Sequence, residues 1–205
     1  MPSSDLLERT YPGRRSELKR SILRTALSCF NAAGIEATTI EVIRAECETS
    51  VGAIYHHFGN KEGLVAALFF AALDDQAALR NSYLEQAQSA EAGVLALVHS
   101  YVDWVDGQPE WARFILQGRF AVASGPFKEE LGERNKQRNK MLFDWMRAEG
   151  RSEQFSHIPA ELLLSLIIGQ TENYCRAWLS QRVKNSPAHY RDMLGKAAWR
   201  SINLE

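Results

Sequence analysis

Cysteine is scarce in this chain of 205 residues: Cys29, Cys47 and Cys175 are odd in number and widely spaced. That excludes a disulfide framework and a four-ligand zinc site, and it fits a reducing, cytoplasmic setting. The opening MPSSDLLERTYPGRR lacks the apolar core of a secretory signal. Long hydrophobic runs are missing too. The strongest, Leu162 to Gly169, is under half a membrane span, so no membrane partner is expected. A net charge of −1 argues against a protein that coats nucleic acid along its whole surface. There is no glycine-rich phosphate loop and no nucleophile elbow. His56 and His57 are adjacent, which sends them in different directions on a helix, and His99, His157 and His189 stand alone. No catalytic residue, metal site or cofactor is expected, and the chain is not expected to be an enzyme. No stretch alternates with period two, so there is no sheet, and the fold class is all-α.

What is present has ordinary globular composition, 45% hydrophobic and 24% charged, in a chain long enough to bury a substantial core. Its most informative stretch runs from Thr38 to Leu64. Thr38 and Glu41 have the spacing of a capping box, and Ile40, Ile43 and Cys47 fall on one helical face that leaves Arg44 directed elsewhere. The polar run Glu48, Thr49, Ser50 interrupts that pattern and caps a second short helix. That helix begins with small residues, Ser50, Val51, Gly52 and Ala53, and continues through Tyr55 and His56, with Ile54 and Phe58 as inward anchors. A helix start with exposed amides, hydroxyls and no bulk suits a phosphate backbone and the floor of a major groove. Gly59 and Asn60 make a turn, and Lys61 opens the next helix beside this face. Upstream, Arg9, Arg14, Arg15, Lys19, Arg20 and Arg24 face one acid, Glu17, in a cationic segment placed where phosphate contacts would help.

The order S-x-G-A-I-Y-H-H-F-x-N-K-E-x-L from Ser50 to Leu64 resembles the signature of the TetR family of transcriptional regulators. The resemblance reaches back through the Thr39 helix and the Leu18–Gly34 helix. It implies an N-terminal three-helix helix-turn-helix domain, residues 1–60, followed by a helical ligand-binding and dimerisation bundle, residues 61–205. It further implies a homodimer formed by the last two long helices, bound to a palindromic double-stranded DNA operator and released by a small-molecule effector. Two positions depart from the family pattern. Glu48 stands at a turn position that is commonly glycine and so needs a left-handed backbone, and Val51 stands where a basic phosphate contact is frequent. These departures are the hints for the alternative reading, a helical interaction or ligand-sensing module that has lost sequence-specific DNA binding.

On the DNA-binding reading, Thr39, Thr49, Tyr55 and Lys61 position the backbone, Ser50, Gly52, Ala53 and His56 lie nearest base edges, and Arg44 serves either role. The rest of the chain reads as helices: Ser16–Ala33, Lys61 to about Gln86, Ala90–Asp106, one from Pro109, Phe127–Glu149, one opened by Pro159 and running through Leu162 to about Arg182, and one opened by Pro187. The Ala90 helix is apolar on most sides and belongs in the middle of the bundle. The basic stretch Arg134 to Lys140 reads as a solvated face. Aromatic residues are dense between Tyr101 and Trp178, and Tyr101, Trp104, Arg113, Phe114, Gln117, Trp145, Asn173 and Tyr174 are the candidates to line a largely apolar pocket with a few polar groups.

Overall fold

A computed structural model describes residues 5–203. Eleven α-helices occur among them, and no strand: α1 (Leu6–Thr10), α2 (Glu17–Ala33), α3 (Ile40–Glu46), α4 (Val51–Phe58), α5 (Lys61–Leu84), α6 (Ala90–Gly107), α7 (Pro109–Ser124), α8 (Lys128–Arg147), α9 (Ser152–Ser156), α10 (Ala160–Leu179) and α11 (Arg191–Ile202). Short 3₁₀ turns at Arg14–Ser16 and Pro187–Tyr190 lead into α2 and α11. Residues 187–190 were expected as the first turn of the last helix; Pro187 instead opens the 3₁₀ turn, and Ser186 caps it by accepting from the Ala188 amide. The short helices α1 and α9 carry too few apolar positions to announce a period, and both fall in stretches that read as tail or loop.

The chain forms two compact units, one of residues 1–75 with 110–134, the other of residues 76–109 with 135–205. The division expected after residue 60 is one of function, and compactness divides the chain elsewhere, within α5. In the first unit α2 contributes Ile22, Leu23, Ala26, Leu27 and Phe30 to the core, joined by Ile43 of α3, Ile54 of α4 and Leu68 of α5. Leu18, an apolar residue near the start of α2 at helical spacing from Ile22, is nevertheless 43% exposed, because the apolar stripe of α2 follows Leu23 and Leu27 instead. Phe114 of α7 closes this core, its ring stacked on Phe30 with centroids 5.8 Å apart. Asn31 adds a polar tie from α2, its Nδ2 donating to the Glu110 carbonyl at 3.0 Å.

The second unit is built around α6, which packs against α10 and α11. Its helix face is apolar nearly all round, with Val94, Leu97, Val98, Val102 and Val105 buried. Leu142, Met146, Ile167 and Ala198 complete the core from the surrounding helices. Among the described residues no helix is long and apolar enough to cross a membrane.

Candidate nucleic-acid interface

The turn between α3 and α4 has the geometry of a helix-turn-helix. Thr39 caps α3 by accepting from the Val42 amide at 3.3 Å, and Ser50 caps α4 by accepting from the Ala53 amide at 3.1 Å. The α3 cap therefore lies one residue later than the Thr38–Glu41 spacing indicated. Thr38 is buried instead, its hydroxyl donating to the Gly34 carbonyl at 2.8 Å, where it fastens the end of α2 to the start of α3. Glu48 has φ 50, the left-handed conformation that the sequence demanded of it, so the turn survives the missing glycine. Gly59, at φ 76, ends α4. Asn60 then caps α5, its Oδ1 accepting from the Gly63 amide at 2.7 Å. A Cβ at residue 63 would stand 2.0 Å from the Phe58 carbonyl oxygen, so only glycine lets α5 start this close to the end of α4.

These caps aim one face of α4 at solvent. Ile54 is fully buried and holds the helix down, while Ser50, Gly52, Tyr55 and His56 are exposed, and Ala53 is half-exposed. Gly52 has only its own cap, Ser50 Oγ, within 4 Å of where a side chain would begin, so this position is open to close approach by a flat surface. Thr39 and Arg44 of α3 are exposed alongside, and Thr49 is half-exposed. Nine residues expected at the DNA thus fall on consecutive elements of one motif. Lys61 differs from the rest: its Nζ donates to the Glu36 carbonyl at 3.1 Å, which leaves two of the ammonium's three donors for another acceptor.

The cationic segment before α2 is more committed to the fold than its sequence indicated. Arg9 pairs with Asp75 at 2.7 Å, Arg24 pairs with Asp5, Arg20 donates to the carbonyls of Tyr11 and Gly13, and Lys19 lies 4.1 Å from the centroid of the Tyr11 ring. Buried Leu6 and Leu7 anchor α1 within the same arrangement. Sequence reasoning missed α1 because five residues are too few to show a helical period. The signal available was Asp5, which caps α1 by accepting from the Leu7 amide. Next to the α4 face, burial holds the His57 imidazole below its usual range, and the charges of His56 and Lys19 act in the same direction.

The eight residues expected at a ligand pocket do not gather in one unit. Arg113, Phe114 and Gln117 belong to the first, where Phe114 is core and Gln117 is exposed. Tyr101, Trp104, Trp145, Asn173 and Tyr174 belong to the second. There Trp104 is buried and Asn173 exposed, and Tyr174 donates its hydroxyl to the Asn185 carbonyl at 3.0 Å. The Trp145 ring rests on the bare backbone of Gly93, where a Cβ would stand 1.9 Å from its Cη2. A cavity of about 90 Å³ does lie in the first unit, lined by residues that include Ile35, Lys61, Val65, Val122 and Phe127, and by none of the eight. Its volume suits a few waters rather than an effector.

A helix-turn-helix with an exposed, small-faced second helix, carried on an all-helical chain, defines the class as a DNA-binding regulator. Residues 22–68 match the family model described as bacterial regulatory proteins, tetR family. The chain is 31% identical over 175 residues to the HTH-type transcriptional regulator BetI of Cronobacter sakazakii, covering 82% of this chain and 81% of that protein. It is 29% identical over 140 residues to the HTH-type transcriptional repressor KstR2 of Mycobacterium tuberculosis, covering 64% and 66% of the two chains. The solved structure of KstR2 superposes with TM-score 0.67 at 23% identity, covering 92% of this chain and 94% of that one. FadR of Bacillus subtilis, solved in complex with stearoyl-CoA, superposes with TM-score 0.66 at 13% identity over 89% and 98%. The chain belongs to the TetR family and is a transcriptional regulator, not an enzyme.

Proposed function

We propose that the protein is a homodimeric repressor that binds a palindromic operator and is released from it by a small, largely apolar ligand. The observation that carries the DNA half is the open α4 face, with Ser50, Gly52, Ala53 and His56 nearest the base edges. Around it Thr39, Thr49, Tyr55 and Lys61 are placed for phosphates, and Arg44 for either role. One such helix reads too few bases for tight binding, whereas two copies about 34 Å apart enter successive major grooves. The dimer is assigned to α10 and α11, which leave Leu162 45% and Met193 68% exposed on the second unit.

The ligand half rests on the aromatic content of the second unit. Trp104 and Trp145 are packed, so a ligand enters there by displacing one of them, with Tyr101 and Tyr174 close in sequence phase. FadR, which shares the fold, is seen in complex with stearoyl-CoA, in keeping with an apolar effector. A ligand that favours a wider spacing of the two α4 helices weakens operator binding, and the operator weakens ligand binding by the same factor. A preference of roughly 3 kcal/mol corresponds to on the order of a hundredfold.

The test is a gel shift on the DNA upstream of the protein's own gene, repeated at rising salt. Gly52→Leu should abolish binding without loss of helicity. Lys61→Ala should weaken binding to every sequence and lower the salt slope by about one. If both variants bind as the parent does, the DNA face is misassigned.

A further inference from the structure

Several arginines in this chain meet a carboxylate: Arg9 meets Asp75, Arg134 meets Asp74 and Glu130, Arg176 meets Glu172, and Arg191 meets Asp103. Arg80 of α5 does not. Its Nη1 donates to Asn139 Oδ1 at 2.9 Å, its Nε and Nη2 donate to Asn81 Oδ1 at 3.2 and 3.1 Å, and Nη2 also donates to the Arg138 carbonyl. Every one of these acceptors is neutral. The neighbouring charge that acts on Arg80 is a second cation, the Arg138 guanidinium of α8, and burial together with that neighbour brings Arg80 down to about 10. A guanidinium ordinarily stays charged well beyond that range. Holding a cation half out of water, with amides for company and a like charge beside it, costs stability unless an anion is sometimes present.

The surroundings agree. Between Glu133 and Asp144, α8 carries Arg134, Lys136, Arg138 and Lys140 and no acid. One turn beyond Arg80 on α5 is Leu84, and one turn beyond Arg138 on α8 is Leu142, both buried in the apolar core of the second unit. The two guanidinium-bearing turns therefore border apolar core, as the end of a site for an amphiphile would.

We infer that Arg80, with Arg138 beside it, receives the anionic group of a small molecule, a carboxylate or a phosphate, in the second unit. The planar fork of a guanidinium suits either. This inference rests on the reading that the second unit takes an effector, and it adds that the effector is an acid rather than a neutral apolar molecule.

The experiment uses the full chain and follows thermal unfolding in sodium chloride, inorganic phosphate or octanoate at matched ionic strength. The parent protein should unfold about 2–4 °C higher in at least one of the two anions than in chloride. A response to phosphate alone assigns a phosphate group, and a response to octanoate alone assigns a carboxylate. Arg80→Gln, which keeps a hydrogen-bonding amide, should lose the response, and Arg80→Lys should keep part of it. If Arg80→Gln does not fold, Arg138→Gln replaces it and should lose at least half of the response. An equal midpoint in all three salts, or a glutamine variant that responds as the parent does, overturns the inference. Operator binding measured on the same samples separates the two proposals. Loss of operator binding by the parent removes the repressor reading, whereas operator binding without an anion response removes only the anion site.

Discussion

At the scale of single residues, Glu48 is held at φ 50 beside the exposed α4 helix, a left-handed backbone that it shares among the non-glycine residues described with Gln181 at φ 59. A left-handed backbone costs a non-glycine residue about 1–2 kcal/mol, part of which glycine returns through its own unfolded-state entropy. Glu48→Gly should therefore raise stability on the order of 0.5–1 kcal/mol, read as a higher denaturant midpoint. Glu48→Ala should not, since it keeps the conformation. Both variants remove a carboxylate from the DNA side and should tighten operator binding severalfold at low salt. A glycine variant no more stable than the alanine variant would show that the turn carries no strain. Glu48 was legible through the family resemblance, because a turn of fixed geometry constrains the backbone whatever residue fills it. Lys61 was legible only in part. Its cation belongs to the pattern, but the Glu36 carbonyl that takes one of its protons lies 25 residues upstream and leaves no local trace.

Helices with a strong period were found where the sequence put them: α3 ends at Glu46, α4 is capped by Ser50 and α7 starts at Pro109 as expected, whereas α5 ends at Leu84 and α10 at Leu179, each a few residues early. What periodicity does not record is which helix covers which. Phe114 looked like a pocket aromatic because it lies among aromatics in sequence, yet it stacks on Phe30 of the DNA-reading unit. Gly93 gave no hint that it makes room for Trp145. The same limit governs α10 and α11, whose inner faces, with Ile167 and Ala198, are core and whose outer residues include the exposed Leu162 and Met193. Leu162→Glu with Met193→Glu should convert the dimer to a monomer by sedimentation while leaving the unfolding midpoint nearly unchanged, because both side chains are exposed in the single chain. A dimer that persists in the double variant would place the interface elsewhere.

For the molecule as a whole, stability in mild acid should be limited by His99 of α6. Burial lowers its pKa below the usual 6.5, and the charge of Arg191 adds to that, outweighing the opposing effect of Asp192 and Asp103. Its Nε2 lies 3.2 Å from Asp192 Oδ1 without the alignment of a hydrogen bond, so little rewards protonation in the fold. The unfolded chain thus binds the proton first. Stability is full above pH about 6.5 and declines as pH falls from there toward the depressed folded value. Unfolding midpoints between pH 7.5 and 5.5 should fall less steeply for His99→Gln than for the parent, and equal slopes would assign the acid loss to other groups.

The first unit, finally, is not contiguous in sequence: residues 110–134 return to it after the chain has built α6. Phe114, Ile115 and Val122 are buried there, and Gly118 lets the Phe69 ring come within 3.4 Å of where its side chain would start. The reading head is consequently not a portable cassette. A chimera that transplants residues up to Asp75 onto another regulator sets Phe30 against a foreign α7, and a fragment cut at Asp75 leaves that ring without a cover. Grafting this protein's operator preference elsewhere requires moving two separated stretches of chain at once. If the second unit takes the effector as proposed, exchanging it means replacing residues 76–109 and 135–205 around an α7 that stays behind.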